Sequence, residues 1–287
     1  MHVLNELFVY PIKSCAGIAL PRAMLLETGL EYDRNWMVTD AAGGMLTQRA
    51  YPRMALIRTA FDAGDLVIDA PGMPTLRTPL DPSALPHREP MRATVWRDTV
   101  DALDTGAHTA QWFSALLGMP ARLARFSPQT RRVVDQKWTA PLVTHTRFAD
   151  GFPLLVLGQA SLDDLNARLA QKGAPAIPAN RFRPNLVIGG LDAYEEDFVE
   201  DMVIRAAGRD VQLRLVKLCT RCPVPTIDQL TGAPHPEWPH EPLDTMSTYR
   251  ASAQHDGKLT FGKNAMVVEG EGVMLEAGQT VDAQIAF

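Results

Sequence analysis

Cys219-Thr220-Arg221-Cys222 sets two thiols three positions apart, and that spacing serves several chemistries. A zinc site would need a second pair of ligands at comparable spacing. The only other cysteine is Cys15, and His235 and His240 stand five apart in a proline-rich loop. A thioredoxin-type dithiol would need a helix N-terminus behind the pair. Here Pro223 and Pro225 follow at once, and no helical pattern begins. Two small buried hydrophobic residues would also account for the pair. A thiolate for a sulfur-preferring metal is the fourth reading. In its favour, Cys222 stands just past the alternating run from Leu213 to Leu218, at a strand end that opens into a loop. Arg221 beside it would help hold that sulfur as thiolate and would attract an anionic cofactor. On local residues alone the four readings stay open.

The elements that must position these thiols are mostly strands. Val3 to Tyr10, Met24 to Leu26, Trp36 to Asp40, Met54 to Phe61, Leu66 to Ile68 and Trp96 to Leu103 are short apolar runs. Breaks at Ala42-Gly43-Gly44, Ala63-Gly64-Asp65 and Pro71-Gly72 separate several of them. Such regular spacing predicts a barrel or sandwich for the first hundred residues. Two stretches have helical spacing instead. Thr109 to Leu117 carries Trp112, Phe113, Leu116 and Leu117, with Gly118 as a stop. Ser161 to Lys172 has Ser161 as N-cap, Leu162, Leu165 and Leu169 on one face, and Gly173 at its end. Strands then resume at Leu186 to Ile188, Met202 to Ala206, Val211 to Lys217, Met266 to Val268 and Val281 to Phe287. Ser127 to Thr146 reads as a linker or a mobile active-site loop, and Pro223 to Pro242 as a long ordered loop.

Composition bounds the partners. The chain has 287 residues, 46% of them hydrophobic, enough for a sizeable core and for one large or two ordinary domains. A net charge of −5 with scattered Lys and Arg excludes a general nucleic-acid binder. The N-terminus lacks the basic and apolar regions of a secretory signal. No apolar run approaches the ~20 residues of a membrane-spanning helix. A soluble, cytoplasmic protein with no membrane partner is expected. Three cysteines do not make a disulfide framework.

The surroundings of the pair narrow the reading. Lys217-Leu-Cys-Thr-Arg-Cys-Pro-Val-Pro-Thr-Ile-Asp228, Thr231-Gly232, Glu241-Pro-Leu243 and Tyr249-Arg250 resemble the signature of the MOSC domain family. The likeness is to the branch holding the mitochondrial amidoxime-reducing components and the bacterial YcbX-type proteins. Tyr10-Pro-Ile-Lys-Ser-Cys15-Ala-Gly17 is similar to that branch's opening motif. Asp33-Arg34-Asn35-Trp36, Thr47-Gln48-Arg49, Pro52-Arg53, Pro153-Leu-Leu155, Ala160-Ser-Leu162, Asp164-Leu-Asn166 and Asn180-Arg-Phe-Arg-Pro-Asn185 follow in the same order. Together these motifs span nearly the whole chain.

The resemblance implies a mainly β, α+β fold. Residues 1–125 would form a MOSC N-terminal β-barrel-like domain, packed on a MOSC β-barrel domain of residues 126–287 with a few helices. It implies a molybdenum cofactor (Mo-molybdopterin), with Cys222 as the metal ligand and catalytic residue and Cys219 as a neighbour. Lys13, Arg34, Arg183 and Asn185 match positions that hold the cofactor, whose phosphate calls for Lys, Arg and backbone N–H groups. Thr220 and Arg221 would flank the metal site, and Arg49 and Arg53 are weaker candidates. The implied activity is reduction of N-hydroxylated substrates such as hydroxylamines, amidoximes and N-hydroxylated bases. YcbX-type proteins often add a ferredoxin-like iron–sulfur domain that these residues do not supply. Electrons are therefore expected from a separate ferredoxin, flavodoxin or cytochrome b5-like protein. Gly158-Gln159 replaces a Thr-Asp pair that relatives carry beside the cofactor, and Phe198 replaces a common Trp. MOSC domains also occur in molybdenum-cofactor sulfurases. A second reading is thus a cofactor or sulfur carrier, with persulfide sulfur on Cys219 or Cys222. The pyridoxal phosphate-binding region of those sulfurases is not found in this sequence. A non-catalytic β-barrel interaction module is the third.

Overall fold

The computed structural model describes residues 1–86 and 88–285. It is mainly β, with four α-helices among the described residues. Seven strands close into a barrel. In order around it they are Leu154–Gly158, Leu186–Gly189, His2–Val9, Thr280–Ile285, Val199–Ile204, Val211–Thr220 and Lys258–Glu269. Pairing of Leu154 with Ala265 and Val156 with Lys263 joins the last strand to the first and leaves no free edge there. Period-two patterning aims one set of side chains inward: Val211, Leu213 and Leu215 are buried along Val211–Thr220. They meet Leu4, Leu7, Val156, Ile188, Met202 and Val281 in the barrel interior.

Leu154–Gly158 and Leu186–Gly189 break that alternation, because every residue in both is buried. They run parallel. A parallel pair needs a crossover, and the helix Gln159–Gln171 supplies it and covers the outer face. Leu162, Leu165 and Leu169 pack there against Leu157, Val187 and Phe261. Each leucine buried this way contributes roughly 1.5–3 kcal/mol. Ser161 is not the N-cap that spacing suggested. Gly158 holds that position, and the Ser161 hydroxyl donates to Glu196 Oε2 at 2.6 Å and accepts from the Tyr194 N–H at 2.7 Å. The buried carboxylate has drawn it away from the helix end.

The other half is built on a five-stranded sheet in the order Pro90–Val95, Asp98–Asp104, Ala121–Phe126, Trp36–Asp40, Ile12–Lys13. Arg58–Asp62, Asp65–Asp69 and Leu76–Pro79 form a second, three-stranded sheet. The helix Ala107–Leu117 buries Trp112, Phe113 and Leu116 against Trp36, Met54, Ile68 and Leu123. Gly118, at φ +71°, ends it.

Three expectations need correction. Met54 to Phe61 is not one strand: Pro52 starts a 3-10 turn, Pro52–Leu56, and the strand is Arg58–Asp62. Trp96 does not open a strand but sits in a hairpin turn at φ +54°. Ser127 to Thr146 is no linker. It holds the strands Arg132–Val133 and His145–Thr146 and the helical turn Gln136–Thr139. Buried Arg132 pins the segment that follows, donating to the carbonyls of Arg147, Ala149 and Asp150. The closing strand is Thr280–Ile285; the rest of the expected run, to Phe287, lies outside the described residues.

Candidate functional site

The first strand leaves the barrel at Val9 and enters the five-stranded sheet at Ile12. Tyr10 lies at that crossing, fully buried. The Arg34 guanidinium sits 4.3 Å from its ring centroid and that of Arg183 4.2 Å, so two cations share one aromatic ring. Gly17 packs against the same ring; a Cβ there would come within 2.4 Å of it. Burial raises the Tyr10 phenol above its ordinary pKa, and its hydroxyl makes no hydrogen bond among the described residues.

Around this crossing lies a cavity of about 140 Å³. Lys13, Arg34, Arg183, Asn185, Thr220, Arg221 and Cys222 all line it. They reach it from strand ends. Lys13 ends Ile12–Lys13, Arg34 precedes Trp36–Asp40, Arg183 and Asn185 precede Leu186–Gly189, and Thr220 ends Val211–Thr220. The backbone here is unusual. Of eight described non-glycine residues with positive φ, four line the cavity: Ser14, Arg34, Trp96 and Arg183. Left-handed backbone at such residues costs of order 1–3 kcal/mol and clusters at functional sites.

Each charge is held in a specific way. Arg34 donates to both Asp33 oxygens, at 2.7 and 2.6 Å, to Asn185 Oδ1 and to the Arg183 carbonyl. Arg183 donates to the Cys15 carbonyl at 2.6 Å. Burial, with Arg34 adding repulsion, lowers its pKa to about 10. Lys13 donates to the Phe148 carbonyl at 2.8 Å and to Asp150 at 2.6 Å. Asn185 is a positioning residue, its amide taken by the Phe8 carbonyl, the Leu155 N–H and Arg34. Arg221 differs from expectation. Its guanidinium lies 2.9 Å from Cys219 Sγ and donates to the Phe182 carbonyl, so it serves Cys219 and not Cys222. Its Nε is buried without a partner.

Five cations therefore border the cavity, Lys13, Arg34, Arg49, Arg183 and Arg221; one carboxylate, Asp150, borders it, and Asp33 pairs with Arg34 from outside it. The surplus suits an anion, and two cysteines, Cys219 and Cys222, line the same cavity. Among the described residues no three His, Cys, Asp or Glu side chains gather as a metal-ligand set. His235 instead accepts two backbone N–H groups of its own loop. The site thus fits a metal that brings most of its ligands with it, on an anionic cofactor.

Residues not foreseen also line the cavity. Asp150 accepts from Lys13 and, at 3.0 Å, from the Trp96 indole; Arg49 lies 5.0 Å over the Trp96 ring. The run Phe148-Ala-Asp-Gly-Phe-Pro153 could have flagged Asp150, as one carboxylate beside a glycine between apolar residues. Nothing local marks Trp96, whose role depends on the hairpin turn. Arg53, Gly158 and Gln159 do not line the cavity.

A family model described as "MOSC N-terminal beta barrel domain" matches residues 1–120, and one described as "MOSC domain" matches residues 144–282. Mitochondrial amidoxime-reducing component 1 of Mus musculus is 36% identical over 90% of this chain and 74% of its own length. The Homo sapiens protein of that name is 34% identical over 91% of this chain and 75% of its own. Mitochondrial amidoxime reducing component 2 of Bos taurus is 32% identical over 86% and 72%. With both domain models matched in order and this similarity across most of its length, the chain belongs to the MOSC family.

Proposed function

We propose that this protein is a molybdenum-cofactor-dependent oxidoreductase that reduces N-hydroxylated compounds, with Cys222 as the protein ligand to the metal. The observation that carries the reading is the convergence of Lys13, Arg34, Arg183, Asn185, Thr220, Arg221 and Cys222, from both halves of the chain, on one cavity. The names of the similar proteins supply the substrate class.

When bound, the cofactor supplies two-electron oxygen-atom-transfer chemistry; the protein supplies position and field. Cys222 offers the soft sulfur donor. Arg183 and Lys13 would hold the anionic end of the cofactor, with Arg34, held by Asp33 and Asn185, assisting them. Arg221, anchored on the Phe182 carbonyl, engages Cys219 and leaves Cys222 as the proposed metal ligand. Overall, an N–OH group, two electrons and two protons give N–H and water. A separate donor protein, such as a ferredoxin, flavodoxin or cytochrome b5-like protein, delivers the electrons. Cytoplasmic placement belongs to the same proposal and is supported by three unpaired thiols.

The test is molybdenum and pterin content of wild type and Cys222→Ala, purified from a host that makes the cofactor. Both are also assayed for hydroxylamine-type reduction with an artificial donor. Near-stoichiometric metal in the wild type and lost activity in the variant are expected. A wild type without molybdenum or pterin would sink the reading. The Arg221–Cys219 contact favours one alternative, a cofactor or sulfur carrier acting through Cys219. That reading requires transfer to a recipient apoenzyme, abolished by Cys219→Ala.

A further inference from the structure

A second cavity, of about 340 Å³, lies behind the first. The two share a wall: Asn35 and Arg147 face the second, while their chain neighbours Arg34 and Phe148 build the first. The Phe148 N–H donates to the Arg34 carbonyl at 3.1 Å and ties the wall together.

Three arginines line this second cavity; Arg131 donates to the backbone carbonyls of Pro128 and Thr130, and Arg125 and Arg147 form no ion pair with a carboxylate among the described residues. Arg125 is 6% exposed, lies 4.1 Å over the Trp36 ring, and donates to the Leu80 carbonyl at 3.2 Å and, at a long 3.5 Å, to that of Asn35. Its Nε has no partner. Arg147 is half-buried, and its side chain makes no hydrogen bond among the described residues; one of its terminal nitrogens is buried and unpartnered. Burial and then Arg147 itself lower the Arg125 pKa to about 9. Two repelling cations are thus held partly out of water, an arrangement that a bound anion would relieve.

The rim carboxylates do not resolve this, since Glu27 is engaged with His145 and Glu271 is exposed. Three further orphaned polar atoms belong to residues of the same cavity, Thr28 Oγ1, Asn35 Oδ1 and Thr146 Oγ1. Together with Arg125 and Arg147, five residues with unpartnered buried atoms line one space. Leu26, Pro82, Phe126 and Pro128 complete its walls. The volume is that of a small-ligand pocket and exceeds a bare ion.

We propose that this cavity is a binding site for a small organic anion, whose carboxylate or phosphate oxygens take the free N–H groups of Arg125 and Arg147 and whose apolar body packs on Leu26, Phe126 and Pro128. A planar guanidinium fork matches either head group. Thr146 and Thr28 donate to the remaining oxygens. The site uses neither cysteine and stands apart from the proposed reaction.

Calorimetric titration of the purified holoprotein tests it, with inorganic phosphate and propionate as separate probes. The head group with the higher affinity identifies the source of the anion. Wild type is expected to bind at least one of them. Arg147→Gln is expected to weaken that binding by about tenfold to a hundredfold, the loss of one or two charge-assisted hydrogen bonds. Arg147→Lys, which keeps the charge but not the fork, should fall between. Arg92→Gln, at an exposed ion pair outside both cavities, should bind as wild type does. Thermal melts of each variant confirm folding. No binding of either probe at millimolar concentration, or binding unchanged in Arg147→Gln, overturns the proposal.

Discussion

Tyr10 shows at the scale of one residue how the site is assembled. Its ring carries two guanidiniums, while its hydroxyl has no partner. The two parts of the side chain should therefore separate by mutation. Tyr10→Phe keeps the ring and removes an unsatisfied group, so stability is expected to stay level or rise by about 1 kcal/mol. Tyr10→Ala removes the ring and opens a cavity, with an expected loss of about 3–5 kcal/mol. Urea unfolding of the three proteins decides this, and a Phe variant as weak as the Ala variant would show that the hydroxyl matters. The motif around Tyr10 was legible in the sequence, as were Lys13, Arg34 and Cys222. The cation sandwich was not, because Tyr10, Arg34 and Arg183 are distant in the chain. Arg221 was expected beside Cys222 because it is adjacent in sequence, whereas its side chain turns back to Cys219, a matter of rotamer that sequence order does not fix.

At the scale of elements, the helix Gln159–Gln171 depends on a buried carboxylate at its start. Glu196 is fully buried, accepts from Ser161 and lies against Gly158, where a Cβ would come within 2.6 Å of Oε2. Burial raises its pKa above the ordinary carboxylate value. The unfolded chain therefore releases this proton first as pH rises. Stability from this group is full below the ordinary carboxylate range and is lost as pH climbs through the raised folded value. Glu196→Gln has no proton to lose, so its stability relative to wild type should grow over that interval. Urea midpoints from about pH 4 to pH 8 measure this, and parallel slopes for the two proteins would rule Glu196 out as the source. The leucine face of the helix was plain from its spacing. Its true N-terminus was not, since Ser161 has the right residue type but a competing partner 35 positions away.

For the whole molecule, the consequential strand is His2–Val9. It pairs with Leu186–Gly189 on one side and Thr280–Ile285 on the other, inside a barrel otherwise made of C-terminal strands. A fragment of residues 126–287 would lack it and would leave two strand edges and the barrel core open. That fragment is expected to aggregate or remain unfolded by circular dichroism and size-exclusion chromatography. Supplying residues 1–30 through a circular permutation should restore part of the barrel signal. A monomeric, cooperatively melting fragment would contradict this account. The same strand explains where the first cavity lies, because the chain crosses from one core to the other at Tyr10.

By itself the sequence determined the class of fold, the two main helices, and a short set of residues able to hold an anion and a soft metal. The fold class and the helices follow from local rules, period-two burial and helical spacing; the residue set follows from the resemblance to the MOSC family, because local chemistry left the cysteine pair open. Only the tertiary structure decided which charges are neutralised and which remain. Asp33 and Asp150 take up Arg34 and Lys13, while Arg125 and Arg147 form no ion pair among the described residues and keep unpartnered buried nitrogens. Pairing and burial are set by contacts between distant segments, and burial is what makes an unpaired charge costly enough to call for a ligand.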